Sequence, residues 1–376
     1  MGFRPDPRGE KTQDNRGPFL PRVPPRRFPP QGGRGRGDLP PLERGRLRCH
    51  LSPREARFHC HFPGRLSPSL REKVRVKRII ILGGPTATGK SDLALYLAER
   101  FPLEIVNFDS VQVYRYMDIG TAKPAKEERE RVPHHLYDIR DPDEEFSAGE
   151  YVRVAPPVIE EVLSRGRIPI LVGGTGLYAR ALLYGLDELP SSDRVREELM
   201  ERLEREGLES LWREMAGKDP ESGRVIPPGD THRVLRALEV MALTGEKYSA
   251  LKRAWRERKP RYEHLFLATH MEREEVYRRI NERAERMIRE GLVDEVRGIL
   301  AMGYSPDLKP LRSHGYKHVI QFLRGEMSLE EALEEMKKEI RHYAKRQITW
   351  FKKENPTWVD PREREKVAQI VGSFLI

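Results

Sequence analysis

Cysteine is nearly absent: the 376 residues hold two, Cys49 and Cys60, both ahead of position 77. Beyond them, neither a disulfide nor a thiol nucleophile is available. The two present are flanked by His50, His59 and His61, but C-x10-C matches no standard zinc spacing. Long apolar runs are lacking too. Charges interrupt every hydrophobic stretch well short of the roughly 20 residues needed to cross a bilayer. Met1 to Pro30 has no apolar centre of the kind a secretory signal requires. The expectation is a cytoplasmic protein with no membrane partner, long enough for one large domain or two modest ones. No internal repeat is found.

The net charge of +10 invites a nucleic-acid reading, but its distribution matters more than its size. Residues 1–76 hold 18 Lys and Arg against 7 Asp and Glu, so the remaining 300 carry a net −1. Any RNA surface on the body must therefore be a local patch. The same leader holds 13 of the 30 prolines and the cluster Gln31-Gly-Gly-Arg-Gly-Arg-Gly37. Such composition cannot bury enough apolar surface to offset chain entropy, so disorder is expected. The leader reads either as an RNA-attracting arm or as sequence ahead of a later start, near Val74 or Val76. The later start is favoured, because ordered-looking sequence begins abruptly at Arg78.

From there strand and helix alternate. Arg78–Leu82 is a β-branched run ending in glycines, as a buried parallel strand does. Ser91–Arg100 reads as a helix, Glu104–Phe108 and Ile168–Val172 as strands, and His264–Ala268 as a further strand. This rhythm implies an α/β fold with a doubly wound parallel sheet. Between about Pro190 and Pro260 the strand signals vanish, and Arg196–Glu214 and Thr231–Thr244 read as amphipathic helices. After Ala268 the chain is almost wholly helical. Ser328 and Glu331 form a capping-box pattern opening a long helix through about Lys353. Leu333, Met336, Ile340, Ala344 and Gln347 form its inward stripe, leaving Lys337, Lys338, Arg341 and Lys345 outside. Those cations read as a solvated face, with contact to RNA phosphates as the functional alternative. Trp350 and Phe351 read as core. The domain expectation is a leader (1–76), a P-loop core (77–189), a helical insertion (190–262), to which only the family resemblance adds RNA binding, and the remainder of the core with C-terminal helices (263–376).

Gly84-Pro85-Thr86-Ala87-Thr88-Gly89-Lys90-Ser91 fits G-x-x-x-x-G-K-[ST] between a strand and a helix. Backbone amides of such a loop converge on a diphosphate, Lys90 adds a point charge, and Ser91 can ligate Mg²⁺. The motif says diphosphate, not nucleotide. The second strand ends at Asp109-Ser110, which should face the same crevice as the loop. Asp109 is open to three readings: a metal-associated carboxylate, a base acting on a second substrate, or a turn cap. The third strand ends in Gly173-Gly-Thr175-Gly, where an ordinary NTPase would place an acid. Glycines there permit close approach to a ligand, and Thr175 can donate to a phosphate oxygen. The adjacent His134 and His135 cannot both face one ion on a regular element.

Together these blocks, with Met117-Asp-Ile-Gly-Thr-Ala-Lys-Pro124, His134-His-Leu-Tyr-Asp138, Asp230-x-x-Arg233-Val-Leu-Arg236-Ala-Leu-Glu239 and Tyr343-Ala-Lys-Arg-Gln-Ile-Thr-Trp-Phe351, resemble the tRNA dimethylallyltransferase family, in its bacterial type, from about Arg78 to Phe351. The resemblance implies transfer of a dimethylallyl group from dimethylallyl diphosphate to N6 of adenosine 37 of tRNA, with Mg²⁺ as cofactor. It implies Asp109 as general base and Thr86, Lys90, Ser91, Thr175 and Arg233 at the diphosphate. For the anticodon stem-loop it implies Asp109, Ser110, Val111, Gln112, Thr175, Arg196, His232, Arg233, Val234, Leu235 and Arg236. A monomer is expected. Asn107-Phe108 and Arg312-Ser-His-Gly-Tyr316 depart from the usual pattern, but neither is expected to touch a catalytic group. An ATP-dependent small-molecule or nucleotide kinase is the rival reading, and a non-catalytic RNA-binding module a second. The kinase leaves Gly173–Tyr178 unexplained; the binding module leaves Lys90 and Asp109 unexplained.

Overall fold

Strand side chains alternate between two apolar layers, as a period of two dictates. In β1 (Arg78–Gly83), Ile79 and Ile81 join one cluster while Ile80 and Leu82 join the other. The computed structural model describes residues 77–186, 189–256 and 258–376. The leader, with Cys49 and Cys60, lies outside the described residues.

After β1 the chain runs through α1 (Lys90–Ala98), β2 (Leu103–Asn107), α2 (Lys126–Arg131), β3 (His134–His135), α3 (Ala148–Ser164), β4 (Ile168–Val172) and α4 (Gly176–Tyr184). Five helices follow: α5 (Asp193–Glu206), α6 (Leu208–Lys218), α7 (Pro220–Val225), α8 (Thr231–Thr244) and α9 (Tyr248–Arg256). Then come β5 (Glu263–Thr269), α10 (Arg273–Arg289), α11 (Leu292–Ala301), α12 (Tyr316–Leu323), α13 (Leu329–Phe351), β6 (Thr357–Val359) and α14 (Arg364–Leu375). The sheet is ordered β3-β2-β4-β1-β5-β6, and every pairing is parallel. The expected α/β fold is present; β3 and β6, too short to show a period, were not anticipated.

One layer packs α3, α4 and α10 to α13 on the sheet; the other packs α1 and α14. Helices α5 to α9 assemble a core of their own around Leu211, Met215, Val234 and Val240. Asp219 caps α7 and ties it to α9, accepting from Ser222 N–H at 3.2 Å and Ser249 N–H at 2.7 Å. In α13 the capping box of Ser328 and Glu331 forms as expected. The expected outward place of Lys337 does not hold. It is 8 % exposed, and its ammonium pairs with Glu285 at 2.8 Å and Glu334 at 2.7 Å. Its long stem packs inward because α10 supplies a partner carboxylate that no local pattern reveals. Arg341 is likewise half-buried, bonding Asn281 at 2.7 Å. Phe351 is fully buried, as core.

Candidate active site

Three strand ends and two later helices meet at the Gly84–Ser91 loop. Gly84 has φ +130, and a Cβ there would stand 2.3 Å from Thr269 Oγ1 at the end of β5. Thr88 Oγ1 donates to Pro85 O at 2.8 Å and lies 2.6 Å from Thr269 Oγ1, fixing the turn internally. Lys90 Nζ donates to Pro85 O at 2.6 Å. Burial, with a further push from the Arg283 charge, lowers Lys90 to about 7, while Asp109 pulls the other way. Ser91 is exposed at the start of α1.

Arg283, on α10, is the residue sequence reasoning missed. Its Nη2 donates to Thr86 Oγ1 at 2.6 Å, and its Nε is buried with no partner among the described residues. Burial and the neighbouring Arg286 lower it to about 10, again opposed by Asp109. A signal existed: Val276, Ile280, Ala284 and Met287 are the buried stripe of α10, and Arg283 falls on it. Beside it opens a cleft of about 450 Å³, lined in part by Ile119, Lys126, Arg129, Arg283 and Arg286. Arg233 is not brought to this group. It is exposed, and its guanidinium bonds Asp230, the cap of its own helix, at 2.6 Å.

Asp109 follows β2. One carboxylate oxygen, Oδ1, accepts from Val111 N–H at 2.9 Å and Gln112 N–H at 3.4 Å, which fixes the side chain. No bond engages Oδ2 among the described residues. Asn107 does touch this group, contrary to expectation: its Oδ1 accepts from Asp109 N–H at 2.8 Å and its amide donates to Leu136 O at 3.0 Å. Asn107 is fully buried, so these bonds satisfy an amide that could not otherwise be there.

Thr175 Oγ1 accepts from Ser110 N–H at 3.0 Å and donates to Ser110 Oγ at 3.2 Å. The neighbouring glycines admit protein rather than the expected ligand. A Cβ at Gly173 would meet the Phe108 backbone at 2.6 Å, at Gly174 the Gln347 amide at 2.2 Å, and at Gly176 the Trp350 ring at 2.1 Å. Gln112 Nε2 is engaged by Thr121 O at 3.0 Å and Ala122 O at 3.1 Å. Glu295 on α11 holds the far end of this loop, accepting from Asp118, Ile119 and Gly120 N–H groups and from the Tyr316 hydroxyl.

In the helical segment, Arg196 and Arg236 both pair with buried Glu239, at 3.1 and 2.6 Å. His232 is exposed and Leu235 half-buried. Val234 is fully buried in the local core, so its side chain offers no RNA contact. His134 bonds Val132 O at 2.7 Å, and His135 bonds Glu104 at 2.7 Å. Among the described residues no three His, Cys, Asp or Glu side chains gather as a metal site, and no helix is long and apolar enough to cross a membrane.

Residues 112–354 match the family described as IPP transferase, and residues 77–144 match isopentenyl transferase. The chain is 50% identical over 285 residues to tRNA dimethylallyltransferase 2 of Geotalea uraniireducens, spanning 75% of this chain and 92% of that one. It is 46% identical over 283 residues to the tRNA dimethylallyltransferase of Thermotoga neapolitana, covering 75% and 92%. Among solved structures, it resembles the tRNA isopentenylpyrophosphate transferase of Bacillus halodurans with TM-score 0.60 and 37% identity, covering 80% of this chain and 97% of that one. A eukaryotic dimethylallyltransferase acting on tRNA gives TM-score 0.63 at 28% identity, covering 76% and 74%.

Proposed function

The chain belongs to the tRNA dimethylallyltransferase family, and from that membership we propose how its residues divide the work of prenylating adenosine 37 of tRNA. The observation that carries the reading is the shared electrostatic neighbourhood of Asp109, Lys90 and Arg283. A carboxylate and the cations of a diphosphate cradle lie within electrostatic reach of one another.

An exocyclic adenine amine is a poor nucleophile, because its lone pair is delocalised into the ring. As N6 attacks C1 of the dimethylallyl group, Asp109 Oδ2 accepts the N6 proton. The C1–O bond breaks and diphosphate leaves with the electron pair. Loop amides, Lys90, Arg283 and the Thr86 hydroxyl stabilise the growing charge. The acceptor base must leave its stack to reach this carbon. Gln112, held by its amide, shapes that entrance through its backbone and stem.

Mg²⁺ fits this donor set only in company with the diphosphate. Ser91 offers one hydroxyl and no acidic trio is at hand among the described residues, so substrate oxygens and water would supply the remaining ligands. When bound, the ion neutralises leaving-group charge. Helices α5 to α9, with Arg196, His232, Arg233 and Arg236, are assigned to the anticodon stem-loop. Cytoplasmic location and a monomer complete the proposal.

The test is incubation of the protein with dimethylallyl diphosphate, Mg²⁺ and unmodified tRNA, without ATP. Prenylated adenosine 37 is the expected product. No prenylated RNA there, with a phosphorylated small molecule formed in a parallel incubation that contains ATP, would establish the kinase alternative instead.

A further inference from the structure

Two hydrogen bonds converge on a side-chain amide that the transfer chemistry does not use. Gln347 on α13 is 5 % exposed. Its Oε1 accepts from Thr86 N–H at 2.8 Å, and its Nε2 donates to Gly174 O at 3.0 Å. Gly174 is joined through its own peptide bond to Thr175. Thr175 in turn holds Ser110 by two bonds, next to Asp109. One continuous path therefore joins the diphosphate loop to the loop that carries the carboxylate. An amide presents an acceptor and a donor at one tip, so it can take an N–H from one loop and give one to the other. The close pass also accounts for Gly174, since any Cβ would sit 2.2 Å from that amide nitrogen.

We propose that Gln347 is a positioning residue that couples the two substrate sites. Thr86 N–H is among the loop amides that a phosphate oxygen can claim, and here Gln347 holds it. A phosphate taking that donor frees Oε1. The remaining bond to Gly174 O then passes the adjustment through the 174–175 peptide to Thr175, Ser110 and the Asp109 turn. Linkage makes this reciprocal: RNA that orders the Asp109 loop prepares the diphosphate loop by the same factor. The inference rests on the transferase reading above.

The experiment measures the dissociation constant of dimethylallyl thiolodiphosphate, an unreactive analogue, with and without saturating unmodified anticodon stem-loop RNA. The wild-type protein should show an RNA-dependent change of about fivefold or more, the lower end of ordinary coupling. Gln347→Met keeps the length and removes both bonds, and the change should shrink to nearly none. Gly174→Ala, which displaces the amide from the other side, should do the same and decides the matter if Gln347→Met does not fold. Wild-type product formation is assayed in parallel. Absence of prenylated RNA counts against the transferase reading. Product without coupling, or coupling that survives both substitutions, overturns the role given to Gln347.

Discussion

Arg283 Nη2 stands 2.6 Å from Thr86 Oγ1, so a helix nearly 200 positions downstream completes the diphosphate cradle. Removing that guanidinium should cost transition-state stabilisation more than substrate affinity. Arg283→Ala is expected to lower kcat by about 10²-fold or more, as loss of one preorganised charge donor does. Steady-state kinetics with varied dimethylallyl diphosphate check it; an unchanged kcat would remove Arg283 from the chemistry. RNA affinity, measured separately, should be retained.

Asp109→Asn keeps the acceptor that Val111 and Gln112 N–H groups use but abolishes proton uptake. A loss of about 10² to 10⁴ in kcat is expected for a general base, with binding of the thiolodiphosphate analogue preserved. Single-turnover prenylation assays separate the two. Wild-type turnover in the variant would sink the base assignment.

Lys90 provides a pH signature. With a pKa lowered to about 7 by burial and Arg283, it is only part-protonated at neutral pH. A bound diphosphate favours the charged form. Affinity for the analogue should therefore be full below pH 7 and fall as pH rises through it, with proton uptake on binding. Titration calorimetry in buffers of different ionisation enthalpy reads this directly. Arg283→Gln removes one cause of the depression and should move the fall to higher pH, while Lys90→Met should abolish it.

Glu104 tests the scaffold rather than the chemistry. This β2 carboxylate, 2 % exposed, is met by His135 at 2.7 Å, Arg165 at 2.7 Å and Arg167 at 3.3 Å. Burial opposes its ionisation, but hydrogen bonds from Arg165 and His135 outweigh that and hold its pKa below the usual value. A depressed carboxylate pKa contributes stability above the unfolded value, near 4.3, that is lost as pH falls through the folded one. Glu104→Gln takes the carboxylate from two half-exposed guanidiniums, which water can resolvate, and should destabilise by about 1 kcal/mol in urea melts. A change within experimental error would show that water already solvates the cluster.

Local pattern carried β1, β2 and β4, because β-branched runs ending in glycine or Asp-Ser announce themselves within eight residues; β5 showed as an apolar run, and β3 and β6 did not show. It marked Lys90 and Asp109 as site candidates for the same reason. What it could not carry is partnership across the fold. Arg233 sits in a conspicuous motif, yet its charge is spent on Asp230 three residues away. Arg283 looks like one more charge in a helix rich in Arg and Glu, and only packing against the loop reveals it. Lys337 failed similarly, its partner Glu285 lying on another helix. The glycines of 173–176 were visible, but their reason, the arrival of Phe108, Gln347 and Trp350, is tertiary.

The bond between Thr86 and Gln347 spans 261 positions. On the ribosome, a growing chain therefore displays its glycine loop long before the helix that completes it has been made. Until α13 has been made, the Thr86 N–H has no Gln347 to hold it. The link between the two loops is therefore among the last contacts that synthesis can supply.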